Sequence, residues 1–208
     1  MIKIGILGDI GSGKSYVSKL FGSPVFSADK EVNKIYKSRT CFNRLKKNLP
    51  KYISSFPINK KEISNAVLSS QKNLKRIIKI VHPIVKIKMN NFLKRNKNKK
   101  MVILDIPLLL ENRINDRNFK LIFVDAKKKE IQKRLKKRIN YNARLFNKLK
   151  KLQLSLEIKK KKSHFIIKND FKDSYVKKRV KMIKSKILKN ERDSFRYRNN
   201  WFIYKRWS

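Results

Sequence analysis

A single cysteine, Cys41, occurs in 208 residues. That excludes an intramolecular disulfide and any cluster of thiolate metal ligands. Two histidines, His82 and His164, are too few for most zinc centres. No uninterrupted apolar run approaches the ~20 residues that a membrane-crossing helix needs. The stretch after Met1 is interrupted by Asp9 and by glycines, and no small-residue cleavage site follows, so no secretory signal is read there. These absences predict a reduced, cytoplasmic compartment and no membrane partner. Acidic residues are scarce as well: Asp+Glu number 14 against 57 Lys+Arg, a formal net charge of +43.

That charge invites a nucleic-acid reading, because lysines that neutralise phosphates release counterions. Its distribution argues otherwise. Lysines run through the whole chain rather than forming one basic arm on a neutral body. Arg, which makes planar bidentate contacts, is the minority cation. Ile, Asn, Phe and Tyr are abundant too, and with Lys they share A/T-rich codons, so a biased genome produces this composition without selection for a basic surface. The charge therefore predicts non-specific attraction of anions and no specific nucleic-acid partner. With 40% hydrophobic and 10% aromatic residues the chain still buries a core, enough for one domain with an inserted subdomain.

Short apolar segments alternate with helix-like ones. Lys3–Leu7, ending in Gly8, reads as a strand, followed by a helix from Lys14 to Phe21. Val25–Ser27 is a second strand, and residues 29 to 48 look helical. Asn59 to Asn98 is a lysine-rich helical region broken at Pro83. Met101–Leu104, ending at Asp105, and Lys120–Val124, ending at Asp125, are buried strands. Residues 127 to 162 are basic and helical, His164–Ile167 is a last strand closed by Asn169, and 173 to 189 are helical again. Strands apolar on both faces alternating with helices predict an α/β fold with a parallel sheet wrapped by helices. No internal repeat is present.

Gly8-Asp9-Ile10-Gly11-Ser12-Gly13-Lys14-Ser15 fits G-x-x-x-x-G-K-S, with a strand before and a helix after. The glycines let the backbone curl so that several N–H groups face one anion, and the helix start adds its positive dipole end. Lys14 then reaches the β- and γ-phosphates, and the Ser15 hydroxyl ligates Mg²⁺. Residues 8–15 and the following Tyr16 are the expected nucleotide-binding set, with ATP and Mg²⁺ as ligands. The guanine-specificity motif Asn-Lys-x-Asp is absent, and the chain is short for a motor or helicase. A small-molecule kinase fits this size and the basic helical stretch that could close as a lid.

Further segments narrow the reading. In chain order they are Phe26-Ser27-Ala28-Asp29, His82-Pro83, Asp105-Ile106-Pro107-Leu108-Leu109-Leu110-Glu111, Gln132-x-Arg134-x-x-x-Arg138, Gln153 and Ile166-Ile167-Lys168-Asn169. In that order and spacing, over roughly residues 1 to 189, the chain resembles the dephospho-CoA kinases. The family's marks are a P-loop, Asp-Ala-Asp after the second strand, Leu-His-Pro, Pro-Leu-Leu-x-Glu, a Gln/Arg lid helix and a final Ile-x-Asn. The resemblance implies a three-layer P-loop kinase fold with a helical substrate-side insertion and a helical lid. The parts would be a nucleotide-binding core of residues 1–58, 100–137 and 163–190, an insertion at 59–99, a lid at 138–162 and a basic-aromatic tail at 191–208. It also implies a reaction, in which ATP phosphorylates the ribose 3′-hydroxyl of dephospho-CoA to give CoA and ADP. The chain would act as a monomer or weak homo-oligomer.

The implied roles stand beside plainer ones. Asp29 matches the family's second Asp, the expected general base, and also sits where a helix N-cap belongs. Asp105 would hold the Mg²⁺ shell with Ser15, or serve as a strand-end turn residue. Glu111 contacts substrate or pins its own loop; His82 and Leu108 are the other expected substrate contacts. Arg138 is the expected lid cation on the transferring phosphoryl group, with Arg134 one turn earlier on the same face.

Several positions depart from the family pattern. Ser27 replaces the first Asp of Asp-Ala-Asp, Leu7 a Thr before the P-loop, and Asp9 a Gly within it. Ile139 replaces an Asp after the lid Arg, and Ser163-His164 replaces Ala-Asp. Asp9 puts a negative charge near the phosphates unless its side chain turns away. In the tail, Phe195, Tyr197, Trp201, Phe202, Tyr204 and Trp207 alternate with cations, which suits either an aromatic flap or a stacking or membrane-surface segment. Two other functions remain open at this level: a nucleoside or nucleotide kinase of similar fold, and a basic RNA-associated module that retains a P-loop.

Overall fold

A computed structural model describes residues 1–111, 119–137 and 141–204, without the side chains of 191–204. The strands are β1 (Ile2–Gly8), β2 (Val25–Ser27), β3 (Met101–Asp105), β4 (Phe119–Asp125) and β5 (Phe165–Lys168). All four pairings are parallel, in the order β2-β3-β1-β4-β5. The helices are α1 (Lys14–Leu20), α2 (Ala28–Ile35), α3 (Arg39–Asn48), α4 (Lys60–Ser69), α5 (Gln71–Arg95), α6 (Lys128–Lys136), α7 (Ala143–Lys150), α8 (Leu156–Lys161) and α9 (Asp173–Tyr204). No helix among the described residues is long and apolar enough to cross a membrane.

Strand periodicity divides the core between two faces. Ile2, Ile4 and Ile6 of β1 and Ile122 and Val124 of β4 face α1 and α9, where Val17, Phe21, Val180 and Ile183 cover them. Leu7, Leu121 and Phe123 face the other way, toward Met89 of α5 and Leu109. Helices on both faces explain why the strands read as unbroken apolar runs. A third cluster lies beside the sheet: Ile35, Phe42, Leu45, Leu49 and Ile58 pack with Ala66, Val67, Leu74, Ile77 and Val81. It takes residues from both sides of position 58, where the sequence suggests that a helical insertion begins.

Four helical stretches differ from the sequence reading. Residues 29–48 form two helices, because Tyr36, Lys37 and Ser38 turn the chain, with Ser38 at the N-cap position of α3. Among the described residues, 127–162 hold three. Conversely, Pro83 does not break α5, which is continuous for 25 residues. An interior proline costs ~3 kcal/mol, but each fully buried aliphatic side chain returns ~1.5–3 kcal/mol. Leu74, Ile77, Val81 and Met89 are all buried along α5 and outweigh the lost bond. The last helix also runs past residue 189, its backbone continuing to Tyr204.

Candidate active site

The C-terminal ends of all five strands converge on the P-loop. Between β1 and α1, Gly8, Gly11 and Gly13 adopt φ values of +146°, +86° and +92°. A Cβ on Gly13 would run into the Asn169 amide. The amide's Nδ2 donates to Ser12 O at 2.8 Å, and its Oδ1 accepts from Phe171 N at 2.9 Å. The Asn169 backbone N–H donates to Asp125 O. The end of β5 is thereby stitched to the P-loop and to β4. In the sequence Asn169 closes a strand and ends the family's Ile-x-Asn, but nothing there shows its bonds to the P-loop.

Lys14 Nζ donates to the carbonyl oxygens of Asp9 at 2.7 Å and Gly8 at 3.2 Å. Burial lowers its pKa to about 8; the Lys159 charge acts in the same direction, and Asp105, Asp9 and Asp29 oppose it. Ser15 Oγ donates to Asp105 Oδ2 at 2.6 Å. The serine in the first turn of α1 and the carboxylate closing β3 therefore meet at one point, 90 positions apart in the chain.

A cavity of about 370 Å³ opens over this loop. Of the expected nucleotide-binding residues, Ile10, Gly11, Gly13, Lys14, Ser15 and Tyr16 line it. Gly8, Asp9 and Ser12 stand behind them; Ser12 is fully buried, and Asp9 nearly so. Asp29, Asp105 and Asp173 also line it, as do Arg134 and Phe171. Three acids therefore line one cavity in a chain with 14 carboxylates against 57 cations. Arg134 stacks on Phe171, its guanidinium 4.4 Å from the ring centroid, and Tyr16 Oη donates to Asp173 at 2.8 Å.

A second cavity, about 890 Å³, lies between the sheet and α5. His82, Pro83, Lys86, Asn90, Pro107 and Leu108 are among its lining residues. Burial lowers the pKa of His82, which favours its neutral form. Two residues line both cavities, Asp29 and Pro107. Asp29 does not cap α2: Ser27 is the N-cap, and Asp29 sits within the first turn.

The family model for dephospho-CoA kinase matches residues 2–174. The chain belongs to that family. A dephospho-CoA kinase of Bartonella henselae is 31% identical over 192 residues, covering 90% of this chain and 98% of the relative. One from Wolbachia pipientis is 33% identical over 86% of this chain and 95% of its own length. A crystal structure from Thermus thermophilus superposes with a TM-score of 0.72 at 26% identity, over 91% of this chain and 97% of the other. A Campylobacter jejuni dephospho-CoA kinase shares the fold at 22% identity, with a TM-score of 0.61 over 89% and 96% of the two chains.

The departures from the dephospho-CoA kinase pattern now have surroundings. Ser27 pairs in register with Asp105, so an Asp there would set two carboxylates side by side. Leu7 is buried in the sheet core. His164 Nδ1 accepts the Leu121 N–H at 3.0 Å, adding a side-chain bond to the β4–β5 edge. The Asp9 carboxylate is held by the Ile10 N–H and faces Lys150.

Glu111 lines neither cavity. Its Oε1 accepts from Leu154 N at 2.8 Å and lies 3.0 Å from Lys159 Nζ. Lys159 is fully buried and also donates to Gln153 Oε1 at 2.9 Å. This cross-link ties the loop after β3 to the segment before α8. Within the sequence, Lys159 is one of four consecutive lysines, with nothing to distinguish it from its exposed neighbours. Arg138 and Ile139 lie outside the described residues.

Proposed function

We propose that the chain transfers the γ-phosphoryl group of ATP to the ribose 3′-hydroxyl of dephospho-CoA, the last step in making CoA. One observation carries this reading: Asp29 belongs to the walls of both cavities, a phosphate-binding one above the P-loop and a larger one against α5. Phosphoryl transfer needs donor and acceptor to meet at one point, and positioning supplies most of the rate. Membership of the dephospho-CoA kinase family supports this choice of acceptor.

In this reading Asp29 orients the acceptor hydroxyl and takes its proton as the bond to phosphorus forms. The P-loop N–H groups and Lys14 stabilise charge on the phosphates. Ser15 and Asp105 would hold Mg²⁺; a hydroxyl and a carboxylate in contact are the oxygen donors this ion takes. When bound it would neutralise phosphate charge. His82 and Leu108 would contact the acceptor. Glu111 we assign to loop positioning through Lys159, since its Oε1 is engaged there. The lid would be residues 138–162, with Arg138 completing the cationic shell, and the insertion residues 59–99 would wall the acceptor side. The direct test is coupled ADP release. Turnover is expected only when dephospho-CoA is present; equal release without it, or preference for a nucleoside acceptor, would refute the assignment.

Lys14 makes the nucleotide step pH-dependent. Its pKa is about 8 rather than 10.5, because burial disfavours the charged form. Phosphate binds the protonated lysine and raises that pKa again, so binding takes up a proton once pH exceeds about 8. ATP affinity is therefore expected to fall by about tenfold between pH 7 and pH 9, from the protonated fraction alone. Calorimetric titration across that range checks the slope, and a flat profile would contradict it.

A further inference from the structure

Asp9 places a carboxylate inside the loop that is to hold a polyanion. Its side chain is only 9% exposed. Oδ1 accepts the Ile10 N–H at 2.7 Å, and the backbone oxygen of Asp9 accepts from Lys14. A carboxylate so poorly screened raises the energy of phosphates bound beside it. Its other oxygen, Oδ2, lies 3.6 Å from Lys150 Nζ.

Lys150 is the last residue of α7, a helix anchored on the far side of the site. Lys148 Nζ donates to Leu68 O of α4 at 3.3 Å, and Leu145 packs into the helical cluster beside the sheet. The Lys150 ammonium is 5.8 Å from the Phe146 ring centroid. Among the described residues, the charges acting on Lys14 at this end of the P-loop are Asp105, Lys159, Asp9 and Asp29. Of the cations, Lys150 is the one within ion-pair distance of Asp9 among the described residues. An ion pair with one partner 42% exposed contributes little to global stability. Its consequence is local, because it sits where phosphate binds.

We propose that Lys150 is a positioning residue that cancels the charge of Asp9, so that this acidic P-loop accepts a nucleoside triphosphate. The seating of α7 then becomes a condition for tight nucleotide binding. The proposal rests on the P-loop being the triphosphate site. It also accounts for Asp9 at a position where the family pattern has Gly: the added carboxylate comes with a lysine that neutralises it.

A double-mutant cycle on the full chain tests this. Lys150→Ala is expected to raise the KM and the calorimetric Kd for ATP by about tenfold, with kcat and the KM for dephospho-CoA changing much less. Lys150→Arg should restore ATP affinity, and the melting temperature should move little. In an Asp9→Asn background, removing Lys150 should cost less than about twofold. An equal cost in both backgrounds would mean that Lys150 touches the phosphates directly or merely supports α7, and would overturn the proposal. So would an unchanged ATP affinity in Lys150→Ala. Failure of the wild-type chain to bind ATP at all would refute the P-loop reading, and the pairing with it.

Discussion

Asp29→Asn is expected to lower kcat by about a hundredfold to ten-thousandfold, the range a general base supplies together with orientation. The substitution keeps the size of the side chain and one oxygen, so the acceptor still finds a partner of the right reach. It removes the group that can receive the proton. ATP affinity should change little, because Asp29 is not part of the P-loop. Affinity for dephospho-CoA should fall modestly, by about the ~1 kcal/mol of one weakened hydrogen bond. Stability should fall slightly as well: Asp29 lies in the first turn of α2, where a negative charge gains ~0.3–1 kcal/mol from the helix dipole. A purely structural aspartate would show the same small loss of stability with kcat near wild type. Since Ser27 stands in place of the neighbouring carboxylate, near-normal kcat would leave the site without an identified base.

Lys14→Ala is expected to reduce turnover at least tenfold and up to about a thousandfold, the cost of losing a group that stabilises developing charge. The fold should survive. The ammonium is bonded to two carbonyls of its own loop, and burial holds its pKa at about 8. A lysine whose charge the folded state disfavours contributes no net charge-based stability at neutral pH. The unfolded chain binds the Lys14 proton more tightly than the folded chain does. The penalty is therefore present in full below pH 8 and relieved between about 8 and 10.5. The variant should melt near or above the wild-type temperature at pH 7, and wild type should gain relative to it as pH rises through that window. Turnover above a tenth of wild type would mean that the loop is not where phosphates bind.

The P-loop is legible in the sequence alone, because its chemistry is local. Strand, glycine turn and the start of the helix follow one another directly, from Ile2 to Ser15, and each glycine is needed by the backbone of its own turn. Asp29 and Asp105 are legible for a related reason. Asp105 closes β3 and Asp29 lies just beyond the end of β2, and in a parallel sheet those ends face one crevice. The parallel α/β architecture follows equally directly from apolar runs without alternation.

Other features depend on residues far apart in the chain. That Asp29 walls two cavities at once requires α5 to lie across the sheet. The continuity of α5 through Pro83 reflects burial of its apolar side, which a local breaker rule does not weigh. Asn169 and Lys159 acquire their roles only from the partners that the fold brings to them, Ser12 and Asp125 for one, Glu111 and Gln153 for the other. The charge of Asp9 is the sharpest case. By itself the sequence shows a misplaced negative charge in a phosphate loop. The folded chain sets a lysine from 141 positions away against it, because the energy of a buried charge is decided by what surrounds it in space and not by what precedes it in the chain.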